Sequence, residues 1–314
     1  MKRKLGYVGL GMMGGGMASH LVASGYDVAV HDLRDEAVQV LQEKGATGVN
    51  TPRAVAEQSE VVISSLPTPQ AVEQVALGPD GIVSGLSEGQ VYIDMSSIDP
   101  DTTRRVGRVI AEKGGYMLDV PVGKGPADAA RGGLTLMIGG DADVVASVQD
   151  VLDTLGDEQF YCGELGMGVT TKLVNNLVSC SVATLLGEAF AMGAAAGLDV
   201  GVLWNVMSNT AANSSHLQGS FKRRALVRNF EPYFKLRLSH KDLGLAAQMA
   251  ASLGATNLMG AAAYQIQTIA MGMGLGDEDQ TASIKVAEKT AGTEVNHPRL
   301  KPVGLSLPHD SPGG

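Results

Sequence analysis

The stretch Lys4-Leu-Gly-Tyr-Val-Gly-Leu-Gly-Met-Met-Gly14 decides the fold of this chain. It begins as a short apolar strand, turns on three glycines with the spacing G-x-G-x-x-G, and runs on into a helical pattern. In this context Gly9 allows the tight turn, Gly11 lets the backbone approach a pyrophosphate, and Gly14 lets the helix pack closely on the strand. N–H groups at the helix start add positive potential. The stretch therefore predicts a dinucleotide-binding turn.

Strand and helix patterns alternate through the first half of the chain, which predicts a parallel sheet with helices on both faces. The later strand predictions are Asp27–His31, Val61–Ser65, Val91–Asp94, Met117–Val120 and Thr135–Ile138. The main helix predictions between and after them are Arg34–Lys44, Pro100–Lys113 and Asp141–Leu155.

Strand signals end at about Gly163, and long Ala- and Leu-rich helices take over from about Gly168, with a further helix predicted over about Ser215–Val227. We therefore predict an α/β protein with an N-terminal Rossmann-type doubly wound sheet over residues 1–163. An all-α substrate and oligomerisation domain should follow over 164–290. A flexible tail rich in Pro and Gly is predicted over 291–314.

Composition sets the class of protein and its partners. The 314 residues are 44% hydrophobic and 18% charged, so a large core can be buried. The formal net charge of −9 argues against nucleic acid and anionic membranes as partners. The two cysteines have no metal-ligand spacing, so we expect a reducing, cytoplasmic setting and no metal. The apolar stretch Leu177–Leu198 is interpreted as a central helix at a subunit interface of a homodimer or homotetramer.

An acidic residue, Asp32, follows the second predicted strand. A carboxylate there accepts hydrogen bonds from the ribose hydroxyls and repels a 2′-phosphate, which favours NAD over NADP. Arg34 pulls the other way because a guanidinium can bind a phosphate. The loops Ser65–Thr68 and Asp94–Ser97 follow later strands, at the edge of the sheet where a cofactor is expected. The predicted cofactor-binding residues in this half are Gly9, Leu10, Gly11, Met12, Met13, Gly14, Asp32, Leu33, Leu66, Pro67 and Ser97.

Lys172 and Asn176 lie four residues apart in a helical pattern, so their side chains share one face. The neighbouring residues Val169, Leu173 and Leu177 are apolar, which predicts that this face is turned inward. A lysine in a partly dry site can exchange its proton near neutral pH. Lys172 is therefore the candidate general acid or base, and Asn176 the candidate residue for orienting the substrate oxygen.

The chain resembles the β-hydroxyacid dehydrogenase family over about residues 4–290. The stretches that carry the resemblance are Gly9–Gly14, Asp94-Met-Ser-Ser-Ile98, Asp119-Val-Pro-Val-Gly-Lys-Gly125, Gly168–Asn176 and His240-Lys-Asp-Leu-Gly244. The resemblance implies NAD(P)-linked oxidation of a β-hydroxy acid without a metal, and helical subunit contacts. It implies that Lys172 is catalytic, that Asn176 and Phe234 contact a small substrate, and that Lys241 and Asp242 lie at the cofactor.

The substrate loop departs from the family pattern. Most members read Pro-Val-Ser-Gly-Gly where this chain has Pro121-Val122-Gly123-Lys124-Gly125. A cation in this loop resembles the sulfolactaldehyde reductase branch of the family, which carries arginine there. A lysine suits a tetrahedral sulfonate as well as a planar carboxylate. We therefore expect Gly123, Lys124 and Gly125 to bind the anionic end of a small substrate; a solvent-facing Lys124 is the alternative.

The residues leave other readings open. The same machinery fits a carboxylate substrate such as 3-hydroxyisobutyrate, 4-hydroxybutyrate or tartronate semialdehyde. A second class is a non-catalytic dinucleotide-binding protein, which would be expected to lose Lys172. A relative of 6-phosphogluconate dehydrogenase or imine reductase is disfavoured. The former typically has His where Asn175 stands, and the latter usually lacks the lysine.

Overall fold

The computed structural model describes residues 2–297, and the chain divides into two compact units between Asn175 and Asn176. From residue 298 onward the predicted flexible tail lies outside the described residues.

The first unit is built on one mixed sheet. Its strands are β1 (Lys4–Val8), β2 (Asp27–His31), β3 (Thr47–Gly48), β4 (Val61–Ser64), β5 (Val91–Asp94), β6 (Tyr116–Asp119), β7 (Val122–Gly123), β8 (Leu134–Gly139) and β9 (Gly156–Gly163). Strands β3, β2, β1, β4, β5 and β6 lie side by side in that order and are parallel. Strand β8 runs antiparallel to β6 and β7, and β9 pairs with it in parallel. Reversal of the strand order at β1 and β4 makes this a doubly wound sheet, as predicted.

Helices cover both faces of this sheet because alternate strand residues point to opposite sides. Tyr7 belongs to the apolar cluster on one face, and Val8 and Tyr92 belong to the cluster on the other. The helices are α1 (Met12–Ala23), α2 (Asp35–Gln42), α3 (Pro52–Glu57), α4 (Pro69–Leu77), α5 (Ile82–Gly85), α6 (Pro100–Glu112), α7 (Pro126–Ala129), α8 (Ala142–Ser147) and α9 (Gln149–Leu155).

Helix α10 (Met167–Ala195) runs from the first unit into the second. It is long and apolar enough to cross a membrane by length and composition. Val169 and Leu173, however, are fully buried in the first unit, and Phe190 is fully buried in the core of the second. Because core helices pass the same test, its hydropathy is weak evidence for a membrane span.

In the described part of the second unit, residues 176–297, every named element is a helix or a helical turn, and irregular segments connect them. After α10 it contains α11 (Val200–Ser208), a π-helix (Leu217–Phe221), a 3-10 turn (Ala225–Val227), α12 (Leu236–Ser252), α13 (Leu258–Gly272), further 3-10 turns (Leu275–Asp277 and Gln280–Ser283) and α14 (Ile284–Ala291). Phe190 and Phe221 stack at the centre of its largest apolar cluster, with ring centroids 5.7 Å apart.

Three local predictions were wrong. The helix predicted over Asp141–Leu155 is two helices that break at Val148, where no Gly or Pro marks the break. The helix predicted over Ser215–Val227 is a π-helix and a 3-10 turn, in a segment where Ser and Gly weaken helix propensity. Strand β9 was missed because it is a largely exposed edge strand without an apolar pattern.

Candidate active site

The glycine turn after β1 has the backbone that its sequence predicts. Gly9 has a φ of +91°, and a Cβ there would lie 2.5 Å from the Ser65 carbonyl oxygen. Gly14 is buried against the Gly9 carbonyl group. A Cβ on Gly11 would have no atom within 4 Å. Gly9 and Gly14 therefore serve packing within the protein, whereas Gly11 borders open space in front of helix α1, where a pyrophosphate can approach.

Asp32, at the end of β2, forms the polar side of this turn. Its carboxylate accepts a hydrogen bond of 2.7 Å from the N–H of Leu10 and one of 2.9 Å from the N–H of Arg34. The Arg34 guanidinium binds both carboxylate oxygens, at 3.0 and 3.1 Å. Burial alone would raise the pKa of Asp32, but the hydrogen bonds and charge of Arg34 outweigh it and lower the pKa. Asp32 is therefore a carboxylate at the place expected for a ribose acceptor.

The other predicted cofactor residues are distributed over the neighbouring strand ends. The N–H of Leu66, after β4, donates to Ser96 Oγ, after β5, over 2.9 Å, so the two loops are tied together. Met12 and Leu33 are exposed, Pro67 is exposed beside Leu66, and Met13 and Ser97 are half-buried. The carboxyl ends of β1, β2, β4 and β5 thus bring the predicted residues to one edge of the sheet.

The predicted substrate loop forms part of the same sheet. Gly123 pairs with Thr135 in β7 and β8. Lys124 has a φ of +69°, a left-handed backbone that favours glycine. Its ammonium group is engaged by Asp157 at 3.0 Å and Glu158 at 3.6 Å. The loop therefore continues the sheet, and the lysine charge is paired with two carboxylates of β9.

Helix α10 carries the proposed acid/base residue. Lys172 is half-buried, and the residues on either side of its stripe, Val169 and Leu173, are fully buried. The inward-facing stripe predicted from the sequence is confirmed at those two positions, and Leu177 is partly buried. Because Lys172 and Asn176 are four residues apart within one continuous helix, their side chains leave it on the same face.

In the second unit, Asn176 is held by a buried carboxylate. Its amide nitrogen donates to Asp242 over 2.6 Å, and the other Asp242 oxygen lies 3.2 Å from the ammonium nitrogen of Lys241. Asn176 and Asp242 are 6% and 1% exposed. Phe234 belongs to the apolar cluster that also contains Leu177. The structure thus brings together three of the predicted residues, Asn176, Lys241 and Asp242, in a single charged network.

Sequence reasoning missed three supporting groups. Ser179 lies on the same helical face as Asn176 and hydrogen-bonds the His216 ring over 2.7 Å; burial lowers the pKa of His216. Asp279 accepts hydrogen bonds from the N–H groups of Tyr233 and Phe234. Asp119 contacts the start of α10. Helical spacing would have indicated Ser179, whereas the partners of Asp119 and Asp279 are distant in sequence.

The described part of the chain, residues 2–297, has no group of three His, Cys, Asp or Glu side chains placed to hold a metal ion.

Comparisons with known proteins give the family. Residues 4–163 match the model described as the NAD binding domain of 6-phosphogluconate dehydrogenase. Residues 166–287 match the model described as NAD-binding of NADP-dependent 3-hydroxyisobutyrate dehydrogenase. Together with the geometry above, these matches define an NAD(P)-dependent oxidoreductase.

Individual relatives cover nearly the whole chain. It is 36% identical to 3-sulfolactaldehyde reductase of Escherichia coli (strain K12), over 92% of this chain and 97% of that protein. It is 35% identical to 2-(hydroxymethyl)glutarate dehydrogenase of Eubacterium barkeri, over 93% and 97%. A structure of 3-hydroxyisobutyrate dehydrogenase from Mycobacterium tuberculosis with L-serine matches with a TM-score of 0.83 at 27% identity, covering 91% and 99%. The chain belongs to the β-hydroxyacid dehydrogenase family.

Proposed function

We propose that the protein interconverts a small anionic β-hydroxy acid and its semialdehyde, with NAD as the preferred cofactor and Lys172 as the acid/base. The observation that carries this proposal is the placement of Lys172. It lies half-buried on the helix face that also carries Asn176, in a chain with a complete glycine turn and Asp32.

When bound, the nicotinamide supplies or accepts the hydride. In the reductive direction the Lys172 ammonium donates its proton to the developing alkoxide and stabilises its charge. In the oxidative direction the neutral Lys172 amine takes that proton. Asn176 orients the reacting oxygen, and its amide is itself fixed by Asp242. The loop Gly123–Gly125 holds the acidic end of the substrate.

For the substrate, a short aldehyde bearing a sulfonate, such as 3-sulfolactaldehyde, is our first candidate. The cation at Lys124 and the 36% identity to a 3-sulfolactaldehyde reductase support it. The Asp157 and Glu158 ion pairs weaken this choice, because Lys124 must exchange them for the substrate anion. A short carboxylate is the second candidate, since the backbone of Gly123 and Gly125 can bind a carboxylate without the lysine.

A substrate screen tests the proposal. NADH oxidation is followed with matched aldehydes that bear either a sulfonate or a carboxylate, and the best substrate is then run with NADPH. We expect a higher kcat/KM with NADH, because Asp32 repels a 2′-phosphate. A strong preference for NADPH would make Arg34 the determinant instead. Tight NADH binding without turnover on any member of the panel would favour the non-catalytic class.

We also propose that the protein is a homo-oligomer through its second unit. Several large apolar side chains on these helices are more than half exposed in the single chain: Val178, Leu185, Met192, Leu258 and Met259. So much exposed apolar surface is unusual on a monomer. Light scattering coupled to size-exclusion chromatography should give a mass of at least two chains, and a monomer at micromolar concentration would contradict this.

A further inference from the structure

Asp119, the last residue of β6, is a fully buried carboxylate that caps a helix distant from it in sequence. One of its oxygens accepts a hydrogen bond of 2.7 Å from the N–H of Gly166, and the other accepts one of 2.7 Å from the N–H of Val169. Val169 lies in the first turn of α10 and Gly166 directly precedes the helix, where backbone N–H groups have no partners within the helix. Ordinary N-caps come from the residue before the helix. This cap comes from a strand, and it joins the helix to the sheet.

Two glycines allow this contact. A Cβ on Gly168 would lie 2.5 Å from the carbonyl oxygens of both Asp119 and Met137. A Cβ on Gly139, in β8, would meet the Asp119 carboxylate itself. The first turn of α10 therefore lies directly on the ends of β6 and β8, with no side chain between them. Such close packing fixes both the axial position and the rotation of the helix start.

We propose that Asp119 is a positioning residue for Lys172: by binding the N–H groups of Gly166 and Val169, it sets the place from which the lysine side chain leaves the helix. Lys172 follows Val169 by three residues, which is less than one helical turn. A displacement of the first turn is therefore transmitted to the lysine almost undiminished. This inference rests on the proposed function, in which Lys172 exchanges a proton with the substrate.

The charge of Asp119 contributes to this helix cap. Burial raises the pKa of this carboxyl to about 6, although the two backbone hydrogen bonds lower it, and the carboxylate of Asp94 raises it further. Asp94 faces it in register from β5, and Gly139 and Gly168 present no side chain. At neutral pH the group is therefore ionised and complements the positive helix end. Below about pH 6 it takes up a proton, and one of the two oxygens that accept from Gly166 and Val169 becomes a hydroxyl, so the cap loses one acceptor.

The first test is the variant Asp119→Asn, which keeps the size of the side chain but offers only one acceptor oxygen to the two N–H groups. We expect kcat at pH 7.5 to fall by about 10- to 100-fold, because misplacement of a reacting group by about 1 Å costs this much. The Kd for NADH should stay within about 2-fold, since the glycine turn is unchanged. Asp141→Asn is the matched control: Asp141 caps α8 through two backbone N–H groups but positions no site residue.

The pH profile separates positioning from a general structural role. The wild-type kcat should fall as the pH drops through about 6, and Asp119→Asn should lack that limb and keep a low, flat rate there. The inference is overturned if Asp119→Asn retains kcat within about 2-fold of wild type, or if its acid limb is unchanged.

A measurement on the wild-type protein needs no variant and remains available if Asp119→Asn does not fold. Amide hydrogen exchange at pH 5 and pH 7.5, corrected for intrinsic rates, should show protection of Gly166 and Val169 rising at pH 5 relative to Val144 in α8, because opening of the helix start exposes Asp119 and is therefore easier while this buried carboxyl is ionised. Equal changes at all three amides would overturn the inference. These results are independent of the proposed function, which fails separately if Lys172→Ala remains fully active.

Discussion

Gly14 and Gly11, both in the turn after β1, are expected to have different effects when each is changed to alanine: the first on stability and the second on NADH binding. A Cβ on Gly14 would lie 3.1 Å from the Gly9 carbonyl carbon and 3.2 Å from Cε1 of Tyr7, and closer still to the Gly9 carbonyl oxygen. Helix α1 must therefore move away from the strand. Overpacking of this kind costs about 1–3 kcal/mol, which lowers Tm by several degrees in a domain of this size. The variant Gly14→Ala should be measurably less stable even without cofactor.

Gly11→Ala is the matched variant, because a Cβ at Gly11 meets no protein atom within 4 Å. Its stability should change by less than about 1 kcal/mol, the cost of a poorer N-cap. The methyl group nevertheless stands where the pyrophosphate must approach. A clash of about 1–3 kcal/mol in the complex alone would weaken NADH binding by roughly 10- to 100-fold.

The assay is thermal unfolding of both variants, with and without NADH, together with a fluorescence titration of NADH binding. Without NADH, Gly14→Ala should be less stable than wild type, whereas Gly11→Ala should have normal stability. Gly11→Ala should instead bind NADH weakly. Wild-type NADH affinity in Gly11→Ala would show that the pyrophosphate does not lie at this turn. Unchanged apo stability in Gly14→Ala would refute the packing account.

Three further predictions follow from the site. Lys124→Gly should melt about 2–4 °C higher than Lys124→Ala, since both lose the same ion pairs but only glycine relieves the left-handed backbone; equal melting temperatures would contradict the strain. Asp242→Asn should lower kcat/KM by about 10-fold or more, because the buried Asn176 amide loses a charged hydrogen-bond acceptor, and such a bond contributes about 1.5–3 kcal/mol. Steady-state kinetics at saturating NADH would test this. An unchanged kcat/KM would show that this hydrogen bond does not contribute to catalysis. The raised pKa of Asp119, about 6 against an ordinary 3.8, means that the folded state binds its proton more tightly than the unfolded state. Its contribution to the free energy of unfolding, on the order of 3 kcal/mol, is therefore present below pH 4 and lost as the pH rises through 6. Denaturant titrations across this range should show the free energy of unfolding of wild type falling relative to that of Asp119→Asn as the pH rises. The same pH dependence in both proteins would exclude the raised pKa of Asp119.

Most of the sheet could be predicted from the sequence because β1, β2, β4, β5 and β6 each couple an apolar run with turn residues; the two-residue strand β3 has no such run and was not predicted. Strand β2 was predicted with its observed bounds, and so was β5. The edge strand β9 could not be predicted, because half its side chains face solvent and its pairing with β8 is set by the fold.

The residues of the candidate site fall into the same two groups, those set by local sequence and those set by the fold. Lys172 and Asn176 were recognisable because helical spacing is a local property, and the glycine turn because its spacing is local too. The Asp119 cap and the Asp279 contacts depend on residues about 45 to 50 positions away in sequence. The ion pair of Lys124 with Asp157 was not predicted, because the sequence does not show that β9 returns beside this loop. The sequence pattern therefore did not predict contacts of charged side chains with segments that are distant in sequence.

The central claim is that the amine of Lys172 exchanges a proton with the substrate during hydride transfer. A stopped-flow single turnover with enzyme, NADH and the best aldehyde of the screen, for wild type and Lys172→Ala, tests it most directly. The account predicts that the transfer rate falls by about 10²–10⁴-fold while the Kd for NADH is unchanged. A Lys172→Ala protein that transfers hydride at close to the wild-type rate would contradict it.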